Sequence, residues 1–300
     1  MSLVECVPNF SEGRRPAVVD AIVAAITSVP GARRIDQSLD ANHNRAVVTF
    51  VAPPAVAVEA AFRGIAKAKE LIDLTRHQGE HPRVGATDVV PFVPLEGTDM
   101  THCVRLAHEL GRRVGRELEI PVYFYESAAR IPARKNLPDV RNIGFEKLRE
   151  AVATDPTRVP DEGPQDQLHP TAGAVVIGAR AFLIAYNVNL ETKDVAVAKE
   201  IAKKIREKDG GLKGIKAMGF WLEDLQCAQV SMNVCDFEST GLERVYREIE
   251  TLSAERGVAI RESELVGLAP RKAIPPGLAA RIRLRDFDPK RQVVEELIGG

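Results

Sequence analysis

The segment FLIAYNVNLETKDVAVAKEIAKKIREK, residues 182–208, decides the fold. Its first nine residues are mostly apolar, and Asn187 and Asn189 alternate with apolar residues, a pattern typical of a strand. Thr192 is a plausible N-cap for the helix predicted over 193–208. We therefore expect a strand that leads directly into a helix.

The sequence on either side of this segment predicts the same order of elements twice. In the second half we expect a hairpin (215–223 and 227–235), a helix over 241–257 capped by Ser239 or Thr240, and a closing strand (258–268). In the first half, strands are predicted at 2–8, 32–36, 45–52 and 88–94, with helices at 16–29 and 55–74. An extra helix (100–118) and strand (121–125) follow.

Two such βαββαβ units predict an α/β (α+β) fold with two ferredoxin-like subdomains. Each is expected to be a mixed, antiparallel-rich sheet covered by helices on one face. Residues 154–174, with four prolines and two glycines, indicate a linker or an ordered loop. We expect subdomains at 1–178 and 179–300, with a ligand cleft between them, because ligands often bind between domains.

Bulk composition excludes several classes of protein. The 300 residues are 45% hydrophobic and 28% charged, with a net charge of −1, so no global field favours nucleic acid or membrane. The four cysteines form no CxxC pair, and no basic-then-apolar leader or spanning segment is apparent. We expect a cytoplasmic enzyme or binding protein without a metal.

The segment RHQGEHPRVGATDVVPFVP, residues 76–94, concentrates polar groups in a loop broken by glycine and proline. It does not fit HExxH, and the breaks exclude the helix that would align His77 and His81 on a metal. A histidine in such a loop suits proton transfer, with Glu80 or Asp88 orienting the ring and Arg83 holding an anion. The alternative is a polar turn that binds nothing.

Three other clusters leave two interpretations open. Residues 36–45, DQSLDANHNR, predict either a polar pocket or an Asx-rich hairpin. Asparagines in predicted strands face either a binding cleft or solvent, because strands normally exclude them. The basic segment 129–141 indicates an anion contact, whereas the lysines after residue 202 suit a solvated helix end.

Six segments in order resemble a known family: LVECVPNFSEGR (3–14), residues 76–94, PVYFYESAAR (121–130), GARAFLIAYNVNL (178–190), AQVSMNVCDFE (228–238) and ELVGLAP (264–270). Together they resemble glutamate formiminotransferase, the formiminotransferase part of formimidoyltransferase-cyclodeaminase. The resemblance implies two α/β subdomains, a homodimer, and transfer of a formimino group from N-formimino-L-glutamate to tetrahydrofolate, the co-substrate. Formyl transfer between 5-formyltetrahydrofolate and glutamate, or folate binding without catalysis, are the alternatives.

The resemblance places the catalytic histidine at His81. Ser38 stands where the family often has an assisting aspartate, so Asp36 or Asp40 is expected to replace it. The family's folate loop corresponds to Pro164–Gly173, and it is one residue longer here. From the charges we expect Arg134 and Lys135 to hold the folate tail, and Arg83 or Arg45 to hold formiminoglutamate. The predicted substrate-binding residues are His43, Arg45, Glu80, Arg83, Tyr125, Arg134, Lys135, Pro164, His169, Gly173, Asn187, Asn189 and Asn233.

Overall fold

The computed structural model describes residues 2–79 and 82–299 of the chain. The chain forms two compact units, residues 1–180 and 181–300, hereafter the first unit and the second unit. Within the described residues, no helix has the length and apolar character needed to cross a bilayer. The catalytic role given to the subdomain 1–178 stays a prediction.

The elements of the described residues are as follows. The first unit has the strands β1 (Val4–Cys6), β2 (Asn9–Phe10), β3 (Arg33–Asp40), β4 (Arg45–Ala52), β5 (Thr87–Pro94), β6 (Val122–Glu126) and β7 (Val175–Ala179). Its helices are α1 (Pro16–Thr27), α2 (Pro54–Leu71), α3 (Met100–Glu117), α4 (Leu137–Arg141) and α5 (Gly144–Ala151). The second unit has β8 (Ile184–Leu190), α6 (Val195–Ile205), β9 (Ile215–Leu222), β10 (Cys227–Val234), α7 (Leu242–Ala254), β11 (Ile260–Val266), α8 (Leu278–Arg281), α9 (Pro289–Gln292) and α10 (Val294–Ile298).

The helix starts differ from the predicted caps. The helix α6 begins after Asp194, whose carboxylate accepts a hydrogen bond from the Ala196 amide at 2.9 Å. Thr192 instead accepts from the Asp194 amide at 3.1 Å, so the predicted Thr192 cap was wrong. Neither Ser239 nor Thr240 caps α7, whose N-cap position is Gly241 without a side-chain bond.

The first sheet has seven strands and mixed pairing. The strands β1 and β2 both pair antiparallel with β4 and β5, so they act as one interrupted strand between them. Pro8 lies at the interruption and has no N–H to donate to a ladder, which explains why the strand predicted over 2–8 is broken. The strand β3 extends the sheet beyond β4, and β7 and then β6 extend it beyond β5 in parallel.

Both faces of the first sheet are covered. The helices α1, α2 and α3 pack on the face that carries Val48, Phe50 and Phe92. The helix α5 packs on the opposite face, where its Phe145 joins strand residues such as Val176 in a second core. The prediction of helices on one face was therefore wrong for the first unit.

The second sheet has the order β11-β8-β10-β9, and all three pairings are antiparallel, so the predicted mixed sheet was wrong here. Its elements follow the predicted order strand, helix, strand, strand, helix, strand. Alternate β8 residues, Tyr186 and Val188, face the helices α6 and α7 in one core. The first unit repeats this strand order in β5, β1/β2, β4 and β3.

Residues 154–174 form an ordered loop attached to the first unit. The Val122 amide donates to the Glu162 carbonyl, and the Leu74 amide donates to the Thr171 carbonyl at 2.9 Å. The loop leads into β7, a strand that the sequence pattern did not predict. Of the two expectations for this segment, the ordered loop is confirmed.

Candidate active site

Two loops meet beside the end of β2. The Asn44 side chain accepts from the Gly13 amide at 2.9 Å and donates to the Gln78 carbonyl at 3.0 Å. At Gly79 a Cβ atom would lie 2.3 Å from the His43 carbonyl oxygen, so the loops approach too closely for any other residue. The loop 76–79 is therefore held against the turn 41–44.

The other end of the same loop is fixed from the β7 side. Gly85 pairs with Gly173, and a Cβ atom at Gly85 would lie 1.8 Å from the Ala174 carbonyl oxygen. The Ser11 hydroxyl donates to the Gly85 carbonyl at 2.7 Å. Gly79 and Gly85, two of the glycines that break the segment 76–94, thus form close backbone contacts with the neighbouring segments.

A small concavity of about 190 Å³, part of it open to solvent, lies between these loops. Charged and polar side chains dominate its wall. The lining residues are Phe10, Ser11, His43, Asn44, Arg45, His77, Arg83 and Asp88. The structure therefore brings together three of the predicted substrate-binding residues, His43, Arg45 and Arg83, with His77 and Asp88 from the segment 76–94 and with three further residues.

Asp88 reaches the cavity through a β-bulge. In the pairing of β2 with β5, Asn9 lies opposite Val89 but Phe10 lies opposite Thr87, so Asp88 is the extra residue. Such bulges re-aim a side chain and are common next to active sites. The Asp88 Oδ1 atom accepts from the Val84 amide at 2.8 Å.

Arg141 from α4 forms an ion pair with Asp88. Its Nη1 lies 3.5 Å from Asp88 Oδ2, an ion pair too long to be a good hydrogen bond. Burial raises the pKa of Asp88, and the charges of Arg141 and Arg45 oppose that rise. Among the described residues, neither Asp88 Oδ2 nor Arg141 Nε has a hydrogen-bond partner.

The two predicted arginines differ in their surroundings. Arg45 donates to the Asn9 side chain, and its pKa is lowered to about 10 by burial and by the Arg141 charge. Arg83 donates to both carboxylate oxygens of Glu146, at 2.8 and 3.3 Å. Because the Glu146 side chain is 66% exposed, this ion pair is open to exchange with another carboxylate.

His77 is a neutral acceptor in the cavity wall. Its Nε2 lies 2.9 Å from the Asn44 carbonyl oxygen, so Nε2 carries the hydrogen and Nδ1 is left as an acceptor. Burial lowers the pKa of His77, and the Arg83 charge lowers it further. Nδ1 is buried and has no hydrogen-bond partner among residues 2–79 and 82–299.

The residues predicted to assist the catalytic histidine lie on β3 and its turn. Asp40 accepts from the backbone amides of Asn42 and His43 at 2.9 Å, and its other oxygen lies 2.6 Å from His43 Nδ1. Asp36 is half-buried opposite Thr49, and burial raises its pKa. Ser38 is exposed opposite Val47. None of these three residues lines the cavity.

His81 and Glu80 lie outside the described residues, so their predicted roles stay predictions. Among the residues that are described, no three His, Cys, Asp or Glu side chains come together as a metal site.

The predicted basic contacts have different surroundings. Arg134 is buried in an ion pair with Asp161 at 2.6 Å and also donates to the Val159 carbonyl at 2.6 Å. Lys135 is exposed. Tyr125 is buried beneath α4 and α5, and burial raises its pKa to about 12.

The predicted folate loop has an ordered turn at its end. His169 and Gly173 exchange backbone hydrogen bonds at 3.0 Å, and His169 Nδ1 accepts from the Ala172 amide at 3.0 Å. Gly173 has a φ of +69°, a conformation that favours glycine. Pro164 is half-buried earlier in the loop.

The predicted asparagines lie in the second unit. Asn187 and Asn189 donate to the carboxylates of Glu264 and Glu262 at 2.8 and 3.2 Å, whereas Asn233 is exposed further along β10. Their face of the sheet is opposite the helices, because the alternate residues of β8 enter the core.

Three cavity residues, Phe10, Ser11 and Asn44, were not predicted from the sequence, and Asp88 was predicted in another role. Phe10 and Ser11 belong to the segment 3–14, and their only signal was that this segment carries part of the family resemblance. Asn44 was noted within the polar cluster but not selected. Asp88 was considered only as an orienting group, because its position in β5 follows from a bulge.

The chain is similar over nearly its whole length to formiminotransferase domains of known proteins. Residues 3–180 match the formiminotransferase domain, N-terminal subdomain, and residues 185–280 match the formiminotransferase domain. The chain is 49% identical to the glutamate formimidoyltransferase of Thermoplasma acidophilum, covering 96% of this chain and 95% of that protein. It is 44% identical to that of Streptococcus pyogenes serotype M1, covering 99% of both. With the formimidoyltransferase-cyclodeaminase of Rattus norvegicus it shares 42% identity over 99% of this chain and 60% of that protein.

Proposed function

Because the chain belongs to the formiminotransferase family, we propose that it is a glutamate formimidoyltransferase whose reaction takes place beside the cavity of the first unit. It transfers the formimino group from N-formimino-L-glutamate to tetrahydrofolate and releases L-glutamate. The 49% identity to a glutamate formimidoyltransferase over 96% of this chain carries the reaction. The convergence of Arg45, Arg83, Asp88 and His77 on one cavity, next to the loop that the family resemblance marks as catalytic, supports its location.

The chemistry requires one proton to move between two nitrogens. N5 of tetrahydrofolate attacks the formimino carbon, and the new C–N bond produces a tetrahedral intermediate. N5 loses its proton, the glutamate nitrogen gains one, and the C–N bond to glutamate breaks. A single histidine with a pKa near neutrality performs both transfers, and His81 is the histidine proposed for this role.

The arginines supply the groups that bind the donor's carboxylates. Arg83 is the better placed for exchange, because its present partner, Glu146, is an exposed side chain on α5. Arg45 lines the same cavity and remains a cation at neutral pH, since its lowered pKa is still about 10. Charge-assisted bonds from planar guanidinium groups suit carboxylates.

The decisive assay compares wild-type protein with His81→Ala, using formiminoglutamate and tetrahydrofolate and measuring 5-formiminotetrahydrofolate. Loss of the proton shuttle is expected to lower kcat by roughly 10²- to 10⁴-fold. His102→Ala is the matched control, because His102 pairs with Asp99 at the exposed start of α3. Near-normal turnover of His81→Ala would exclude the proposed role.

The same assay with other donors separates this function from its alternatives. Formylglutamate is expected to react far more slowly than formiminoglutamate. Faster formyl transfer would support the 5-formyltetrahydrofolate reaction, and tight folate binding without any transfer would indicate a binding protein.

We further propose that Lys135 contacts the folate tail, because it is exposed whereas its predicted partner Arg134 is engaged with Asp161. Raised salt is then expected to increase KM more for polyglutamylated than for monoglutamylated tetrahydrofolate. Equal salt sensitivity would contradict this contact. The proposed homodimer is tested by light scattering of the purified protein.

A further inference from the structure

The Asp88 carboxylate offers an unused acceptor to the cavity. Its side chain is only 4% exposed, yet Asp88 lines the cavity through the bulge in β5. Oδ1 accepts from the Val84 amide, whereas Oδ2 has no hydrogen-bond partner among the described residues. Buried polar atoms are nearly always paired, so an unpaired one in a cavity wall needs an explanation.

His77 supplies a second unused acceptor in the same wall. Since its Nε2 donates to the Asn44 carbonyl, the neutral ring presents Nδ1 as a lone pair. That atom too is buried and lacks a partner within the described part of the chain. Two unfilled acceptors around one cavity suit a ligand with N–H groups, which would replace the water that otherwise donates to them.

The charges around Asp88 limit which ligand fits. Arg141 lies 3.5 Å from Oδ2, and Arg45 is close enough for the two charges to act on each other. These cations favour the ionised carboxylate, which accepts hydrogen bonds but donates none. They also repel a further cation, so a neutral N–H donor is favoured over a charged one.

This inference rests on the proposed function and deepens it: we propose that Asp88 is a specificity-determining residue that binds a planar N–C–N group of a substrate by N–H···O hydrogen bonds. Both substrates contain that chemistry. The formimino group of the donor has it as a cation, and the 2-amino-4-oxopyrimidine edge of tetrahydrofolate has it as a neutral group. The two guanidinium groups favour the neutral pteridine edge.

The test is Asp88→Asn, which keeps the size and the acceptor for the Val84 amide but places an NH₂ group toward the ligand. Binding of tetrahydrofolate and of formiminoglutamate is titrated separately. Hydrogen bonds to a charged group predict a loss of roughly 10- to 100-fold for the ligand that Asp88 holds, and none for the other.

Asp161→Asn is the matched control. Asp161 is also a buried aspartate that pairs with an arginine and accepts a backbone amide at 2.8 Å, but it does not line the cavity. If Asp88 has a merely structural role, Asp88→Asn and Asp161→Asn both lower the melting temperature. Neither variant then weakens the binding of one substrate more than that of the other. That result would overturn the inference.

Two analogues identify which substrate Asp88 holds. Tetrahydrofolate without its 2-amino group should bind wild type and Asp88→Asn equally if Asp88 binds the pteridine. N-formylglutamate, which lacks the second nitrogen, should bind both equally if Asp88 binds the formimino group. If Asp88→Asn weakens the binding of both analogues as much as that of the full ligands, Asp88 binds neither group.

Wild-type measurements keep the inference testable if Asp88→Asn does not fold. On wild type, removing the N–C–N group from the bound substrate should weaken binding by the same 10- to 100-fold, and no loss with either analogue would refute the inference. Because these are binding titrations, they are independent of turnover. Absence of formimino transfer with intact selective binding would overturn the proposed function alone.

Discussion

Four strands of the first sheet repeat the strand order of the second, but the polar groups of the two sheets differ in how they are paired. Beside the first sheet, Asp88 and His77 each leave a buried acceptor without a partner among the described residues. On the second sheet, Gln229 donates to Asn189, and Arg285 binds both Glu262 and Glu264 at 2.7 and 2.9 Å. The hydroxyls of Tyr186 and Tyr246 in the core of the second unit also lack a partner among the described residues, so an unfilled atom indicates a place for a ligand only where it lines a cavity. The polar side chains on the other face of the second sheet satisfy one another and stabilise the fold.

Within this comparison, the largest expected effect is a rise in KM on substitution of Arg45 that substitution of Arg285 does not cause. Arg45→Gln removes the cation from the cavity and is expected to raise KM for formiminoglutamate by roughly 10- to 100-fold, because hydrogen bonds to charged groups contribute about 1.5–3 kcal/mol. Arg285→Gln, the control in the second unit, is expected to lower the melting temperature without changing KM. Steady-state kinetics with both substrates measure KM for each variant. Equal KM changes in Arg45→Gln and Arg285→Gln would contradict the proposed difference between the two sheets.

Next in size is the loss of stability on removing Asn189. Asn189 is fully buried, and its side chain accepts from Gln229 and donates to Glu262. Asn189→Ala therefore leaves each of these two side chains without one partner. The free energy of unfolding is expected to fall by about 1–3 kcal/mol. Hydrogen exchange in β8 and β10 localises the loss to the second sheet. A selective rise in KM would show instead that Asn189 binds substrate, as the sequence predicted.

A smaller effect follows from the lowered pKa of His77. Burial lowers this pKa below the ordinary 6.5, so the unfolded chain binds a proton at a higher pH than the folded one does. The stabilisation by neutral His77 is present above pH 6.5 and is lost as the pH falls through that value toward the folded pKa. Melting temperatures between pH 7.5 and 5.5 should therefore decline less steeply in His77→Gln than in wild type.

His169 provides the check on that measurement, because burial lowers its pKa as well. His169→Gln should reduce the pH dependence in the same direction without affecting the cavity. An unchanged slope in both variants would show that neither ring is held neutral by the fold.

The smallest effect is expected for Glu146→Gln. The ion pair with Arg83 is exposed on the glutamate side, and such pairs contribute about 0–1 kcal/mol to stability. The variant should therefore melt within a few degrees of wild type and bind formiminoglutamate at least as tightly. A higher KM would mean that Glu146 orients Arg83 for the substrate instead of competing with it.

The regular elements were predictable because their patterns are local. The strand over 45–52 and the helix from Met100 follow directly from alternation and from helical spacing. The strand β7 was not predictable, because its sequence VVIGA is short and its partner strand β5 is distant in sequence. Residues 154–174 were ambiguous for the same reason, because their hydrogen bonds lead back to the segment before β5 and to β6.

The site was predictable only in part. The polar composition of residues 76–94 and the charge of Arg45 directed attention to this region, and the cavity contains His77, Arg83, Asp88 and Arg45. Regular alternation would place Asp88 on the same side as Val90 and Phe92, in the core, and only the register shift against β2 turns it to the cavity. Similarly, nothing in the sequence shows that Arg134 pairs with Asp161 and not with a ligand.

The bridge between Gly85 and Gly173 has a consequence for how the protein is made. Synthesis delivers the residues of the loop 76–85 well before β7, whose neighbours Ala172 and Ala174 bond to Ala86 and Val84 at 2.9 Å. Until β7 leaves the ribosome, β5 has an open edge and the loop lacks these bonds. The cavity wall is therefore among the last parts of the first unit to be completed, so a nascent chain shorter than about residue 180 lacks a finished cavity.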